Sequence, residues 1–339
     1  LKPDSANGRF LIWKISAGII EENPIFGIGL NRFATEYNNY QADYFAKGQG
    51  VDYEKKIASN VNRGHNEYLE IFAELGIIGV FLFFFILYQV FKSNKVFPSQ
   101  NINNNLIVLA KASLIAILVF SFTSFPFHIL PIYINFFFLL GLISGHQNIS
   151  FDLDLSRRLY KIATAPVIIL TIVVVNSLLN QYRSYQSWNE GVKLSYTGNY
   201  FFSESIFSEI YPLLRNNGEF LLNYGGTLSL AGKHKEAITL LQEAKNKFTD
   251  PNLYTALGNS YLSIGDLERA EAHYLHAVNM IPHKFYPKYL LVKYYEKMGR
   301  GDKALPLAIE ILEKKEKVPS PAVEEIKNEM KKLVKNNKI

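Results

Sequence analysis

The residues best suited to chemistry stand in the first seventy positions. His65 lies in the run Asn62-Arg63-Gly64-His65-Asn66-Glu67. Imidazole is the side chain whose ordinary pKa lets it take a proton near neutral pH. Arg63 stands two residues before it, and Arg9 and Arg32 are further candidates in the same stretch. A guanidinium stays charged, and its planar fork holds phosphate oxygens in pairs. Each residue also has a plainer reading. An arginine in a long polar loop is ordinarily solvated. Arg32 follows a pair of glycines and can simply cap or pair locally. His65 reads equally as the start of a helix, with Asn66 as N-cap and Glu67 as its first residue. Asn66 would then both cap the helix and orient His65. Glu70 and Glu74 lie one turn apart on one helix face. They could orient His65 or an arginine, or merely mark the edge of an apolar run. The chain has no cysteine, which removes thiolate nucleophiles, disulfides and cysteine-type zinc sites. His273 and His276, with His283 nearby, have no carboxylate cluster beside them, so no metal site is expected.

Those residues must be positioned by elements of two kinds. The chain has 339 residues, a net charge of +6 and a mean hydropathy of +0.02, values ordinary for a soluble protein. The average conceals an uneven distribution. Residues 1–70 carry 8 basic and 9 acidic side chains, 71–180 only 6 and 3, and 181–339 carry 22 and 18. A single soluble globule does not have such a centre. Four stretches approach the roughly 20 apolar residues a bilayer requires: 75–91, 106–125 (interrupted by Lys111), 127–144 and 162–179. Pro126 and Pro131 suit a tight hairpin between the middle pair. The loop 92–105 holds Lys92 and Lys95 without an acid, and 145–161 holds Arg157, Arg158 and Lys161 against Asp152 and Asp154. Basic residues in short loops stay in the cytoplasm. The Pro126 turn, 1–70 and 181–339 therefore face outward, which in a bacterium with two membranes is the periplasm. The expected fold is all-α: a polytopic transmembrane helical domain over 71–180, followed by an α-solenoid. No stretch interleaves basic and aromatic residues as a nucleic-acid groove would. The chain starts Leu-Lys-Pro, without Met or a signal peptide, and reads as the C-terminal part of a longer protein.

The solenoid is read from a period. Gly198, Gly232, Gly265 and Gly299 are spaced 34, 33 and 34 apart, and Ser203, Ala237, Ala270 and Ala304 each follow five residues later. A period near 34 is the tetratricopeptide signature. Four repeats are expected over 181–319, at about 184–217, 218–250, 251–284 and 285–318, with an end helix and basic tail over 320–339. Small residues such as Gly258, Ala270 and Ala277 let paired helices approach, while Tyr254, Tyr261 and Tyr274 fill the gap to the next pair. Such an array typically presents a surface for a protein or peptide.

Three segments, Gly8–Lys14, Asn23–Phe33 and Asn62–Gly79, stand in an order that resembles the O-antigen ligase and polymerase superfamily. The matching residues are Gly8, Arg9 and Trp13; then Pro24, Gly27, Gly29 and Phe33; then His65, Asn66, Tyr68, Leu69, Glu70, Glu74, Gly76 and Gly79. The resemblance covers about 4–145 and implies an enzyme of the inner membrane's periplasmic face. Its relatives move a glycan from an undecaprenyl-diphosphate carrier to an acceptor hydroxyl, with no cofactor and no metal. On this resemblance His65 is the base, and Arg9 with Arg63 holds the diphosphate in an inverting single displacement. Arg32, Asn66 and Glu70 are candidate substrate contacts. His128, in the outward turn Phe-Pro-Phe-His-Ile-Leu, is a fallback base or a lipid-phosphate contact. The acceptor is lipid A core, another carrier-linked glycan or a protein, and the repeats tilt the expectation towards a protein. Trp13, Tyr37, Tyr40, Tyr44 and Tyr53 fit either headgroup anchoring or stacking on sugars. Relatives have about a dozen crossings, so these residues by themselves are expected to be inactive. The rival expectation is a non-catalytic membrane anchor whose repeats scaffold envelope complexes.

Overall fold

A computed structural model of the chain describes residues 3–92, 104–145, 157–316 and 319–336. Lys95, Asp152 and Asp154, which entered the orientation argument, lie outside the described residues. The described residues are all-α, with fifteen α-helices and one short 3-10 turn. They divide into two units. The first comprises 1–11, 34–61 and 181–339, and the second 12–33 and 62–180. Residues 1–70, expected to be one loop, are thus shared between the two.

In the second unit, α4 spans Glu67–Lys92, α5 spans Asn104–Phe120 and α6 spans Leu130–Gly145. Leu87 and Val90 of α4 pack with Ala110 and Leu114 of α5 and with Phe136 and Ile143 of α6. Most other apolar side chains on these helices are exposed, Phe81, Val108 and Phe138 among them. Among the described residues one helix, α4, is long and apolar enough to cross a membrane. The expected stretches 106–125 and 127–144 correspond to α5 and α6, which have 17 and 16 residues. They are shorter because the turn between them is wider than a tight hairpin. Phe120 ends α5, Pro126–His128 form a 3-10 turn, and α6 starts only at Leu130. The stretch 162–179 lies in α7, Arg157–Tyr196, a 40-residue helix that continues unbroken into the repeats. Its side chains from Ile168 to Leu179 are exposed where described.

The first unit is built from paired helices: the end of α7 with α8 (Tyr200–Leu214), α9 (Gly218–Leu230) with α10 (His234–Lys245), α11 (Pro251–Ser263) with α12 (Leu267–Met280), and α13 (Phe285–Lys297) with α14 (Gly301–Glu313). Helix α15, Pro321–Asn336, closes the end with Ile326, Met330 and Leu333 buried. The four periodic glycines stand in the turns within the pairs, with φ of 79°, 80°, 83° and 68°. A Cβ is strained there, which is why the period is written in glycine. Within the first three pairs a small residue receives a large one. Gly191 faces Phe207, Gly225 faces Leu241 and Gly258 faces Tyr274. The Tyr274 ring therefore fills its own pair, and it also meets Tyr294 of the next at 5.7 Å. Asn217, Asp250 and Asp266 cap α9, α11 and α12 with side-chain oxygens. Ala277 is fully buried between these layers. Ala277→Leu is expected to overpack them and cost about 1–3 kcal/mol, read as a lower unfolding temperature with unchanged helix content by circular dichroism.

The same unit contains α2, Phe33–Ala46, and the short helix α3, Asp52–Ile57. Residues 34–61 are tied together from within. Asn38 Nδ2 donates to the Val61 carbonyl at 3.1 Å, and the Val61 N–H returns to Asn38 Oδ1 at 2.9 Å. Tyr37 is fully buried and donates to Gln41 Oε1. Tyr44 donates to Glu54 Oε2 at 2.7 Å. Tyr37, which fitted headgroups or sugars, is instead enclosed within this segment. Only burial decides between those roles, and the residue type alone does not carry it.

Candidate active site

The site is organised by a break in α4. Gly76 has φ 64° and ψ −167°, which interrupts the helix between a polar arm, residues 67–75, and an apolar arm, residues 77–92. Four backbone hydrogen bonds pair groups on the two sides of the break with residues 24–29. Ile77 and Ile78 donate to the carbonyls of Pro24 and Ile25, at 2.9 and 3.5 Å. Ile28 and Gly29 donate to the carbonyls of Ala73 and Glu74, at 2.9 and 2.8 Å. This crossing allows no side chain at its centre. A Cβ on Gly27 would meet the Glu74 backbone, and one on Gly76 would meet the Ile25 carbonyl. Two of the three sequence segments thus form one device, in which buried backbone groups satisfy one another. The first segment joins through Trp13, whose Nε1–H donates to the Gly64 carbonyl at 3.1 Å.

The polar arm carries Glu67, Glu70 and Glu74 along one face, at 2%, 3% and 8% exposure. Buried carboxylates are costly unless paired, and each one here is held. Glu74 Oε1 accepts the Phe33 N–H at 3.0 Å. Glu70 Oε2 accepts the Gly64 N–H at 2.7 Å. Glu67 Oε1 accepts the Phe127 N–H at 2.9 Å. His128 stands between two of them, with Nδ1 3.5 Å from Glu67 and Nε2 3.3 Å from Glu70. Arg63 approaches Glu70 at 3.9 Å. Asn66 caps the arm, its Oδ1 accepting from Leu69 N–H at 3.1 Å. His65 has φ 51°, a left-handed backbone uncommon outside glycine. Its ring lies edge-on to Phe125 at 5.1 Å, in the turn that carries His128.

The electrostatics follow from burial and pairing. Desolvation raises the Glu70 carboxyl to about 7, against the lowering effect of the Gly64 hydrogen bond. The hydrogen bond to Glu67 raises His128 above the ordinary imidazole value, against the lowering effect of its own burial. His128 thus keeps its charge to higher pH than a free imidazole does. Its stabilising contribution is complete below about 6.5 and is lost as pH rises through its higher folded value. Glu67→Gln is expected to move the His128 titration down towards its ordinary value, read by NMR of the imidazole. In the same variant the Phe127 N–H keeps an amide oxygen to bond, so the turn should stay in place.

The structure brings Arg63, His65, Asn66, Glu70 and His128 into one neighbourhood. Arg32 is exposed, one residue before Phe33, with its N–H on the Gly29 carbonyl. Arg9 belongs to the first unit, half-buried on α1, Pro3–Glu22. Glu67 is the residue that sequence reasoning missed. Its signal was available: acids at 67, 70 and 74 recur on one helix face immediately before an apolar run.

Residues 1–84 match the family described as O-Antigen ligase, and 251–284 match Tetratricopeptide repeat. The chain thus carries a segment similar to the O-antigen ligase family and, further along, a segment similar to a tetratricopeptide repeat. Comparison with curated proteins gives no match. Among solved structures, MamA residues 41 to the end from Desulfovibrio magneticus RS-1 aligns at 18% identity and TM-score 0.36, over 43% of this chain and 76% of that one. A second, titled "Crystal structure of MamA", aligns at 21% identity and TM-score 0.35, over 43% of this chain and 90% of that one. Likenesses at these scores carry no argument about function.

Proposed function

We propose that this chain carries the catalytic segment of an O-antigen-ligase-like glycan transferase in the bacterial inner membrane. The donor is a glycan on an undecaprenyl-diphosphate carrier, and the acceptor is a hydroxyl of lipid A core, a glycan or a protein. His65 takes the acceptor's proton as its oxygen attacks the anomeric carbon. The bond from that carbon to the diphosphate oxygen breaks on the opposite side, with inversion. Arg63 holds the departing diphosphate, whose charge fixed cations stabilise, and the family match makes Arg9 a further candidate cation. His128, clamped between two carboxylates, suits a third cation better than a base, because its proton is held. Arg9 enters this reading through the family match and the other residues through their convergence. The proposal includes four crossings, by the apolar arm of α4, α5, α6 and the first part of α7, with the loop and the array in the periplasm.

The observation that carries the reading is the convergence of Arg63 and His128 on the buried Glu70, with His65 against Phe125 of the turn that carries His128. The test is deletion of the gene in its host, with envelope fractions blotted for glycan on lipopolysaccharide and on protein. Loss of the lipopolysaccharide ladder assigns a lipid acceptor, and loss from proteins alone assigns a protein acceptor. Unchanged glycan in both fractions overturns the reading.

A further inference from the structure

The tetratricopeptide array has a partner within this chain. Helix α2 lies against residues of α11 and α12. Asn39 Oδ1 accepts from the Tyr254 hydroxyl at 2.6 Å and faces His276 Nε2 at 3.1 Å. Gln41 Nε2 donates to the Met280 carbonyl at 2.6 Å. Asn60 Nδ2 donates to Asp250 Oδ2 at 2.9 Å. These are not loose surface contacts. Gln41 and Tyr254 are at 0% and 2% exposure, and Ala42, at 1%, belongs to the apolar core of the array itself. Burial also pushes His276 down to about 4, so its ring is neutral and offers a single N–H. A buried polar group left without its partner costs about 1–3 kcal/mol. Residues 34–61 and the array therefore complete one another.

We infer that the docking partner of the array is α2 of the same chain, so that residues 34–61 and 181–339 occupy the same side of any membrane the chain crosses. The segment between them then crosses an even number of times. Four crossings meet that condition, and α4 acting as a lone crossing does not. A protein that used this face of the array would have to displace α2. The inference does not rest on the proposed glycan chemistry, and its test needs no activity.

The absence of cysteine makes the test clean. In the full protein in native membranes, Asn60→Cys with Asp250→Cys is treated with a short bismaleimide and the linked peptides are read by mass spectrometry. Linked peptides are expected from the folded protein and not after denaturation. Single-cysteine variants at the same positions are expected to react with an impermeant maleimide from the same side of sealed vesicles. Labelling from opposite sides overturns the inference. So does failure to cross-link when each cysteine alone is reactive. A second variant, Asn39→Ala with Gln41→Ala, is expected to raise amide exchange across α2 by about tenfold or more while α13 and α14 stay protected. Unchanged exchange across α2 overturns the inference. If protection of α13 and α14 is lost too, the cross-link, which leaves the α2 contacts intact, decides.

Discussion

Replacing His65 with alanine is expected to lower glycan transfer by about 10²–10⁴-fold, the usual contribution of a positioned general base. The measurement is transfer in membranes from the host, at matched protein levels and with α4 still inserted. The expectation follows from the division of labour between two histidines in one neighbourhood. His128 has both ring nitrogens facing carboxylate oxygens, at 3.5 and 3.3 Å. A ring held in this way retains its proton and is poorly placed to accept another. His65 has a left-handed backbone, and its ring lies edge-on to Phe125. If His65 is the base, the log of the transfer rate should rise with pH through the imidazole range in the unaltered protein. His65→Ala should flatten that rise. Full transfer by a stable His65→Ala protein would remove the catalytic assignment and favour a scaffold.

Gly76→Ala is expected to destabilise the second unit by on the order of 3 kcal/mol or more. Two costs combine. At φ 64° and ψ −167° the backbone lies in a region open essentially to glycine alone. The added Cβ would also meet the Ile25 carbonyl, which accepts from Ile78. Relief of either cost separates residues 24–29 from α4 and leaves backbone groups at the break without partners. The measurement is the unfolding temperature in detergent, together with the rate of proteolysis at residues 24–29. Gly141→Ala is the control. A Cβ there meets nothing within 4 Å, and α6 should be unchanged or slightly steadier.

Much of the candidate site was legible because its residue types are unusual for their surroundings. Arg63, His65, Asn66, Glu70, Glu74 and His128 stand out as polar groups at the edges of apolar runs. Glu67 did not stand out, because an acid at the start of a helix is ordinarily explained by the helix dipole alone. Its contact with His128 joins residues 61 positions apart, and no local pattern encodes that distance. Tyr37 was misjudged for the same reason. An aromatic side chain reads alike whether it meets lipid, sugar or a carbonyl of its own chain.

The amino-acid sequence alone determined the elements whose causes are local. The spacing of Gly198, Gly232, Gly265 and Gly299 marks turns, since each needs a positive φ that glycine supplies cheaply. The run before Lys92 is a helix because its hydrogen bonds close within four residues. The tertiary structure alone decided what those elements meet. It placed residues 24–29 across the break at Gly76, and it divided the first seventy residues between two units. It also seated α2 on the repeats, through contacts more than 200 residues apart in sequence. Local hydrogen bonding and side-chain size write themselves into a period. Which buried carbonyl accepts which distant donor depends on where the whole chain brings them together.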